Sequence, residues 1–297
     1  PQEYFESLVQ SDEHFPLLEA AISLAQDDEP DLDVQEVLAK VDQLCERLKR
    51  RIPADAAAMH KLRMLNQFFF SDMGFAVNSN HFHDPDNSYM ASVLRTRRGI
   101  PISLAVLWLE LAHHLGLSAS GVSFPGHFLV KVSLPQGQVV IDPLTGHSLS
   151  REELAERLEP LRQSGLDEDL VPLGLFLQSA EPRDIVARML RNLKDIHTTQ
   201  EDWPRLLAVL DRLALLLPQA WETYRDRGLV RAELGLLEGT AGGQVDVAVA
   251  RRDFLPAAPR PRRPSPSWPR RRPRTLCAMR NKRMRRRRPD WPGIPSL

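Results

Sequence analysis

The chain has 297 residues, 42% hydrophobic and 26% charged, which excludes a collagen, a wholly disordered polymer and a disulfide-stapled miniprotein. Its formal net charge of +0 is a cancellation. Residues 251–297 hold 16 Lys+Arg and 2 Asp+Glu, a net +14, which leaves 23 basic and 37 acidic residues in 1–250, a net −14.

Two cysteines, Cys45 and Cys277, build no disulfide framework, so a reducing cytoplasm is the expected location. No apolar run reaches the roughly 18 residues of a membrane helix, and no membrane partner is expected. The start, PQEYFESLVQ, begins on Pro1 rather than Met and lacks a basic-plus-apolar secretory pattern.

In chain order, residues 14–26 carry apolar residues at helical spacing. Residues 33–50 do so more clearly, with Val34, Val37, Leu38, Val41, Leu44 and Leu48 in one stripe behind an Asp33 cap. Cys45 within this helix reads as a small packing residue. A third helix is predicted over 55–70, ending near Gly74, and 78–87 (NSNHFHDPDN) is rich in turn residues. In RRGIPISLAVLWLELAHHLGL, the residues Ile100, Leu104, Leu107, Leu111 and Leu115 form a buried helix face. Pro101 suits the first helical position, where an amide hydrogen would have no partner, and Gly116 stops the helix. Strands follow near 119–133, broken at Pro125-Gly126, and over 138–142. The intervening PQGQ predicts an antiparallel hairpin. Ser150 with Glu153 is a capping box.

From about 184 the pattern is helical in three runs. With Tyr224 at the fourth place of a 34-residue unit, Gly228 takes the eighth and Gly235 the fifteenth. The preceding unit, 187–220, puts Trp203 at its seventeenth place and Pro218 at its thirty-second. That register is the tetratricopeptide pattern of paired antiparallel helices.

Three segments carry the chemistry: the start of the 101–115 helix, the strand bearing His127 (SFPGHFLVKV), and the strand ending in Asp142 (VVIDPLTG). A helix N-terminus, a strand His and an Asp on the neighbouring strand occur in the order of a Cys-His-Asp hydrolase of transglutaminase type. In that chemistry the helix N-terminus stabilises a thiolate, the imidazole holds its proton and the carboxylate orients the imidazole.

Four ordered blocks resemble the bacterial SirB-type proteins, a transglutaminase-like plus tetratricopeptide-repeat family also described as regulators of sirC expression. The blocks are DPDNSYMASVLRTRRGIPISLAVLWLELAHHLGL, GVSFPGHFLVKV, IDPLTG and EPRDIVARMLRNLKDIHTTQEDWPRLLAVLDRLALLLP, within a resemblance running from about 15 to 238. The resemblance implies that His127 and Asp142 hold the last two triad places. It also implies a departure. In active relatives a Gly lies fifteen residues after the nucleophilic Cys, and counting back from Gly116 lands on Pro101, which has no nucleophile. Ser103 lies about 200° further around the helix and points elsewhere. The simplest reading of His127 is a core histidine bonded to Asp142; retained ligand recognition by the pair stands beside it.

Other candidates are weaker. His81, His83, Asp84 and Asp86 offer metal-ligand types without a third ligand at a recognised spacing. His113 and His114 point about 100° apart on a helix. There is no phosphate loop. Neither a metal nor a cofactor is expected.

Residues 239–297 break the repeat pattern, since the unit beginning at Trp221 needs a second amphipathic helix near 236–250, where the sequence instead turns to Arg and Pro. Three readings fit: a basic arm for nucleic acid or acidic partners, an inert disordered tail, or frame-shifted translation of a GC-rich gene. The break inside a repeat favours the third, and a nucleic-acid partner is expected only if the tail is native.

The expected class is α+β and mostly helical. A helical region (1–75) precedes a transglutaminase-like core with a small antiparallel sheet (76–180). Tetratricopeptide-type hairpins (181–238) and the disordered or frame-shifted tail (239–297) follow. The expected function is a degenerate-enzyme adaptor that binds protein or peptide through its helical repeats, with a regulatory role. The opposing reading is a hydrolase or acyltransferase with a non-Cys mechanism around His127 and Asp142.

Overall fold

The computed structural model describes residues 1–78, 83–162 and 172–235. The chain opens with α1 (Gln2–Leu8), α2 (Leu17–Ser23) running into a 3-10 turn at Leu24–Asp27, and α3 (Val34–Lys49). Asp33 caps α3 by accepting the amide hydrogens of Gln35 at 2.9 Å and Glu36 at 3.2 Å. The stripe read from the sequence is the buried face of α3, and Cys45 is buried with it. Next, α4 (Ala58–Asn66) continues into a π-helical stretch, Gln67–Asp72, and stops where Gly74 adopts φ +71°. The sequence pattern takes these as one helix. The wider turn buries the adjacent Phe68 and Phe69 together, with Phe69 stacked on Phe75 at 4.4 Å between ring centres.

A two-residue parallel pair, β1 (Ala76–Val77) and β2 (Arg98–Gly99), brackets a 3-10 turn at Pro85–Asn87 and α5 (Met90–Thr96). Then comes α6 (Pro101–His114), apolar nearly all round and buried from Ile102 through Leu109. Such a helix belongs in the middle of a core. Its Trp108 indole donates to Asn66 Oδ1 at 3.0 Å.

The sheet has four antiparallel strands in the order of the chain: β3 (Ser118–Val122), β4 (Leu129–Leu134), β5 (Gly137–Ile141) and β6 (Ser148–Leu149). Leu134 faces Gly137, so Pro135 and Gln136 make the turn of the expected hairpin. The sheet alternates as a two-sided layer must. Val130, Val132 and Ile141 join the main core with α6. Leu129, Val140 and Leu149 face outward under Leu154 and Leu158 of α7 (Arg151–Arg162), with α8 (Leu173–Phe176) alongside. The Ser150–Glu153 capping box opens α7, with reciprocal bonds of 2.8 and 3.2 Å.

Three helices complete the described chain: α9 (Pro182–Thr199), α10 (Trp203–Leu216) and α11 (Trp221–Glu233), each packed on the next. On its other side the α9–α10 pair packs against α2 and α1, so one core runs unbroken from Phe5 to Val230. The buried Arg212 of α10 reinforces this join. It grips Asp27 through two nitrogens and lies 4.9 Å from the Phe5 ring centre. On α11, Trp221 and Tyr224 are exposed, and Leu229 and Ala232 are half-buried. The tail, 239–297, and the expected second helix of this repeat lie outside the described residues. Among the described residues no helix is long and apolar enough to cross a membrane.

Candidate functional site

Pro101 occupies the first turn of α6, preceded by Ile100 in extended backbone. Its ring fixes φ and its missing amide hydrogen leaves no orphan donor there. His127 follows the Pro125-Gly126 turn, where Gly126 takes φ +67° and swings the chain into β4. A second element fixes this turn. Arg188 of α9 donates to the carbonyls of His127 (2.8 Å) and Phe124 (3.2 Å) and to Ser123 Oγ (3.1 Å), with its guanidinium 5.6 Å from the Phe128 ring centre.

Asp142 stands directly after β5, the strand paired with β4, and this pairing brings the two side chains together. His127 Nε2 lies 3.0 Å from Asp142 Oδ1. The Leu144 amide donates to the same oxygen at 3.0 Å, and Arg157 Nη2 of α7 donates to Oδ2 at 2.9 Å. Asp142 is 5% exposed. Burial alone pushes its carboxyl up. The hydrogen bonds from His127, the Leu144 amide and Arg157, with the His127 charge, outweigh burial and hold it down at about 2. The carboxylate is therefore ionised at neutral pH. It orients the ring with the Nε2 proton toward it, which leaves Nδ1 as the nitrogen available to a ligand.

His127 opens into a cleft of about 280 Å³ shared with Pro101, Ile102 and Gly126. The opposite wall is α9, which contributes Arg188, Asn192, Asp195 and Thr199. Their spacing of four, three and four residues is one face of a helix. Position 101 thus lines the same cleft as the imidazole, at the start of α6, and presents only carbon there.

Ser103 is not in this cleft. Its hydroxyl, fully buried, donates to the Asn87 carbonyl at 2.6 Å and accepts the Ile100 amide at 3.1 Å, closing the helix start from inside. A Cβ on Gly99 would come within 2.7 Å of that oxygen, so the β2–α6 junction is built around the serine. Cys45 lies in α3, where burial and then the Glu110 and Asp42 charges push its thiol up to about 12. His113 meets the Ala119 carbonyl at 2.9 Å, and His114 meets Glu110. Asp84 caps the 3-10 turn, Asp86 approaches Arg95 at 3.8 Å, and His83 lines the cleft. His81 lies outside the described residues.

Sequence reasoning names His127 and Asp142 and misses Arg157 and the α9 wall. Arg157 lies fifteen residues beyond Asp142 and reaches it only through the packing of α7 on the sheet. The α9 wall did leave a signal: polar residues at 188, 192, 195 and 199 form one stripe of a helix, flanking the apolar stripe of Ile185, Met189, Leu193 and Ile196.

A family model described as "Transglutaminase-like superfamily" matches residues 35–191, and one described as "Tetratricopeptide repeat" matches 193–241. A UPF0162 protein of Xylella fastidiosa (strain 9a5c) is 37% identical over 229 residues, 77% of this chain and 81% of the relative. UPF0162 protein PA3419 of Pseudomonas aeruginosa is 32% identical over 182 residues, 61% of this chain and 65% of the relative. UPF0162 protein YchA of Escherichia coli (strain K12) is 26% identical over 224 residues, 74% and 80%. No solved structure matches the chain. With more than half of its length under one model and these relatives alongside, the chain belongs to the transglutaminase-like superfamily, in a bacterial UPF0162 group that adds a tetratricopeptide segment.

Proposed function

We propose that this protein is a degenerate transglutaminase-like adaptor of the bacterial cytoplasm that binds a protein or peptide without acyl transfer and acts as a regulator, as its resemblance to the SirB-type proteins implies. The single observation that carries the reading is Pro101. It stands at the helix start beside the His127–Asp142 pair, where covalent chemistry needs a thiolate. The pair is then the remnant of a Cys-His-Asp triad, kept to orient one imidazole toward a bound chain. The α9 wall joins this cleft to the helical repeats, and repeat helices are surfaces on which extended partners dock. The expected partner is polypeptide, with no cofactor or metal.

Site-specific photocrosslinking tests this. The full chain carrying benzoylphenylalanine at Asn192 is expected to capture a polypeptide in bacterial cells, whereas the same group at exposed Arg151 is not. Turnover of glutamine-peptide or ester substrates by the unmodified protein, abolished by His127→Ala, would overturn the reading in favour of a hydrolase or acyltransferase working from His127 and Asp142.

A further inference from the structure

A second cavity lies on another part of the molecule, along the groove between α3 and α5. It holds about 560 Å³, twice the volume of the His127 cleft. Its floor includes Val37, Leu44 and Leu94, and charged side chains line its length. Those charges are unevenly satisfied. At the N-terminal end of α3, Asp33 is consumed in capping the helix, and Glu36 is neutralised by Lys40 at 2.7 Å. At the other end Arg47 and Arg97 enter the groove, and neither has a carboxylate partner among the described residues.

Arg97 is an unusual residue to find unpaired. It has φ +60°, the left-handed region that a non-glycine side chain rarely occupies. Its backbone is nonetheless pinned. The Arg97 amide donates to Val93 O at 2.9 Å, and its carbonyl accepts from Ala76 N and Arg98 Nη1, both at 3.0 Å. This geometry lays the guanidinium over the Phe75 ring, 4.7 Å from its centre. Its Nη1 is buried without a hydrogen-bond partner. Both Arg47 and Arg97 line this groove, and burial, then the charge of Arg47, lower the Arg97 pKa. A native protein rarely leaves a buried donor empty beside a like charge. Two guanidiniums facing one space, with one held rigid on an aromatic ring, match an oxyanion that accepts from both.

We infer that the Arg47–Arg97 end of the α3–α5 groove is a binding site for an oxyanion, a phosphoryl or carboxylate group, separate from the His127 cleft. The anion neutralises both guanidiniums. The apolar floor receives whatever carries it.

The test is a titration of the full-length ¹⁵N-labelled protein with inorganic phosphate and, separately, acetate, read by amide shifts in 43–47 and 91–97. Saturable shifts there are expected for phosphate, acetate or both, and the stronger of the two identifies the group. Arg47→Gln, an exposed helix position that leaves the fold intact, should weaken that binding by about tenfold, the effect of one charge-assisted hydrogen bond. Arg97→Lys should weaken it while keeping the charge, because the planar fork is lost. The arginines of 251–297 attract phosphate in every variant alike and cancel in the comparison. The absence of shifts with both anions, or equal binding by wild type and Arg47→Gln, would overturn the site.

Discussion

The two sides of the His127 cleft are built on opposite plans. On the sheet side each polar group has a partner: Asp142 takes hydrogen bonds from an imidazole, an amide and a guanidinium, and the His127 turn is clamped from α9. On the α6 side the decisive position is Pro101, which offers the cleft only carbon, and the hydroxyl of α6, Ser103, is turned inward to hold the helix start. The hydrogen bonds that orient the His127 imidazole are in place, and on the proposed reading Pro101 stands where a nucleophile would. A scaffold can lose covalent chemistry through one residue while its orienting hydrogen bonds persist, because those bonds also hold the sheet to α7 and α9. Fold and catalysis are separable in general.

If that contrast is right, cutting the sheet side should cost far more than cutting the helix side. The largest effect is expected from Asp142→Ala, which strands the Arg157 guanidinium and the Leu144 amide and removes the orienter of His127. A loss of about 3 kcal/mol in chemical unfolding is expected, the scale for breaking a buried hydrogen-bonded ion pair. A loss below about 1 kcal/mol would mean that the pair is peripheral to the fold.

Acid should expose the same interaction. Asp142, held at about 2 in the folded chain, is depressed below its unfolded value near 4. A depressed carboxyl contributes stability above the unfolded value and loses it as pH falls toward the folded one. Roughly 2 kcal/mol should therefore vanish between about pH 4 and pH 2. Asp142→Asn should be less stable at neutral pH and should lack this share of the acid dependence. Parallel stability curves for the two proteins would refute the assignment.

Much of this contrast was legible before any coordinates. The hairpin follows from two alternating runs around PQGQ, and α6 follows from an apolar stripe between Pro101 and Gly116. The order of helix start, His strand and Asp strand, with the family resemblance, singles out His127 and Asp142. What stayed hidden depends on packing between elements distant in the chain. Arg157 completes the Asp142 cage only because α7 lies on the outer face of the sheet. Asn192 and Thr199 join the cleft only because α9 passes beside the His127 turn. The two-residue strands β1, β2 and β6 are too short for periodicity to register. The Arg97 strain is a backbone angle that its residue type argues against.

The contrast sharpens further if a thiol is placed at position 101. In Pro101→Cys a thiol stands at the first turn of α6 beside His127. Helix amides and an adjacent imidazole lower a thiol's pKa, so alkylation at pH 7 should run about tenfold faster than for an unperturbed thiol. Adding His127→Ala should remove most of that gain. Cys45, buried and pushed up to about 12, should remain unlabelled while the protein is folded, as peptide mapping would show. A sluggish thiol at 101 would separate that position from the triad geometry.

The smallest effect belongs to Pro101→Ala, and its smallness is the point. Alanine fits the first turn of a helix, where the amide hydrogen has no intrahelical partner in any case, so no existing hydrogen bond is lost. What changes is the unfolded chain, which gains backbone freedom when proline is removed and shifts stability by about 0.5 kcal/mol. The acid dependence set by Asp142 should be unchanged, because none of the three hydrogen bonds to the carboxylate involves position 101. A melting temperature lower by many degrees, or an altered acid limb, would reveal that Pro101 supports the His127–Asp142 pair. The helix side would then be a structural replacement for the lost nucleophile rather than a position emptied of chemistry.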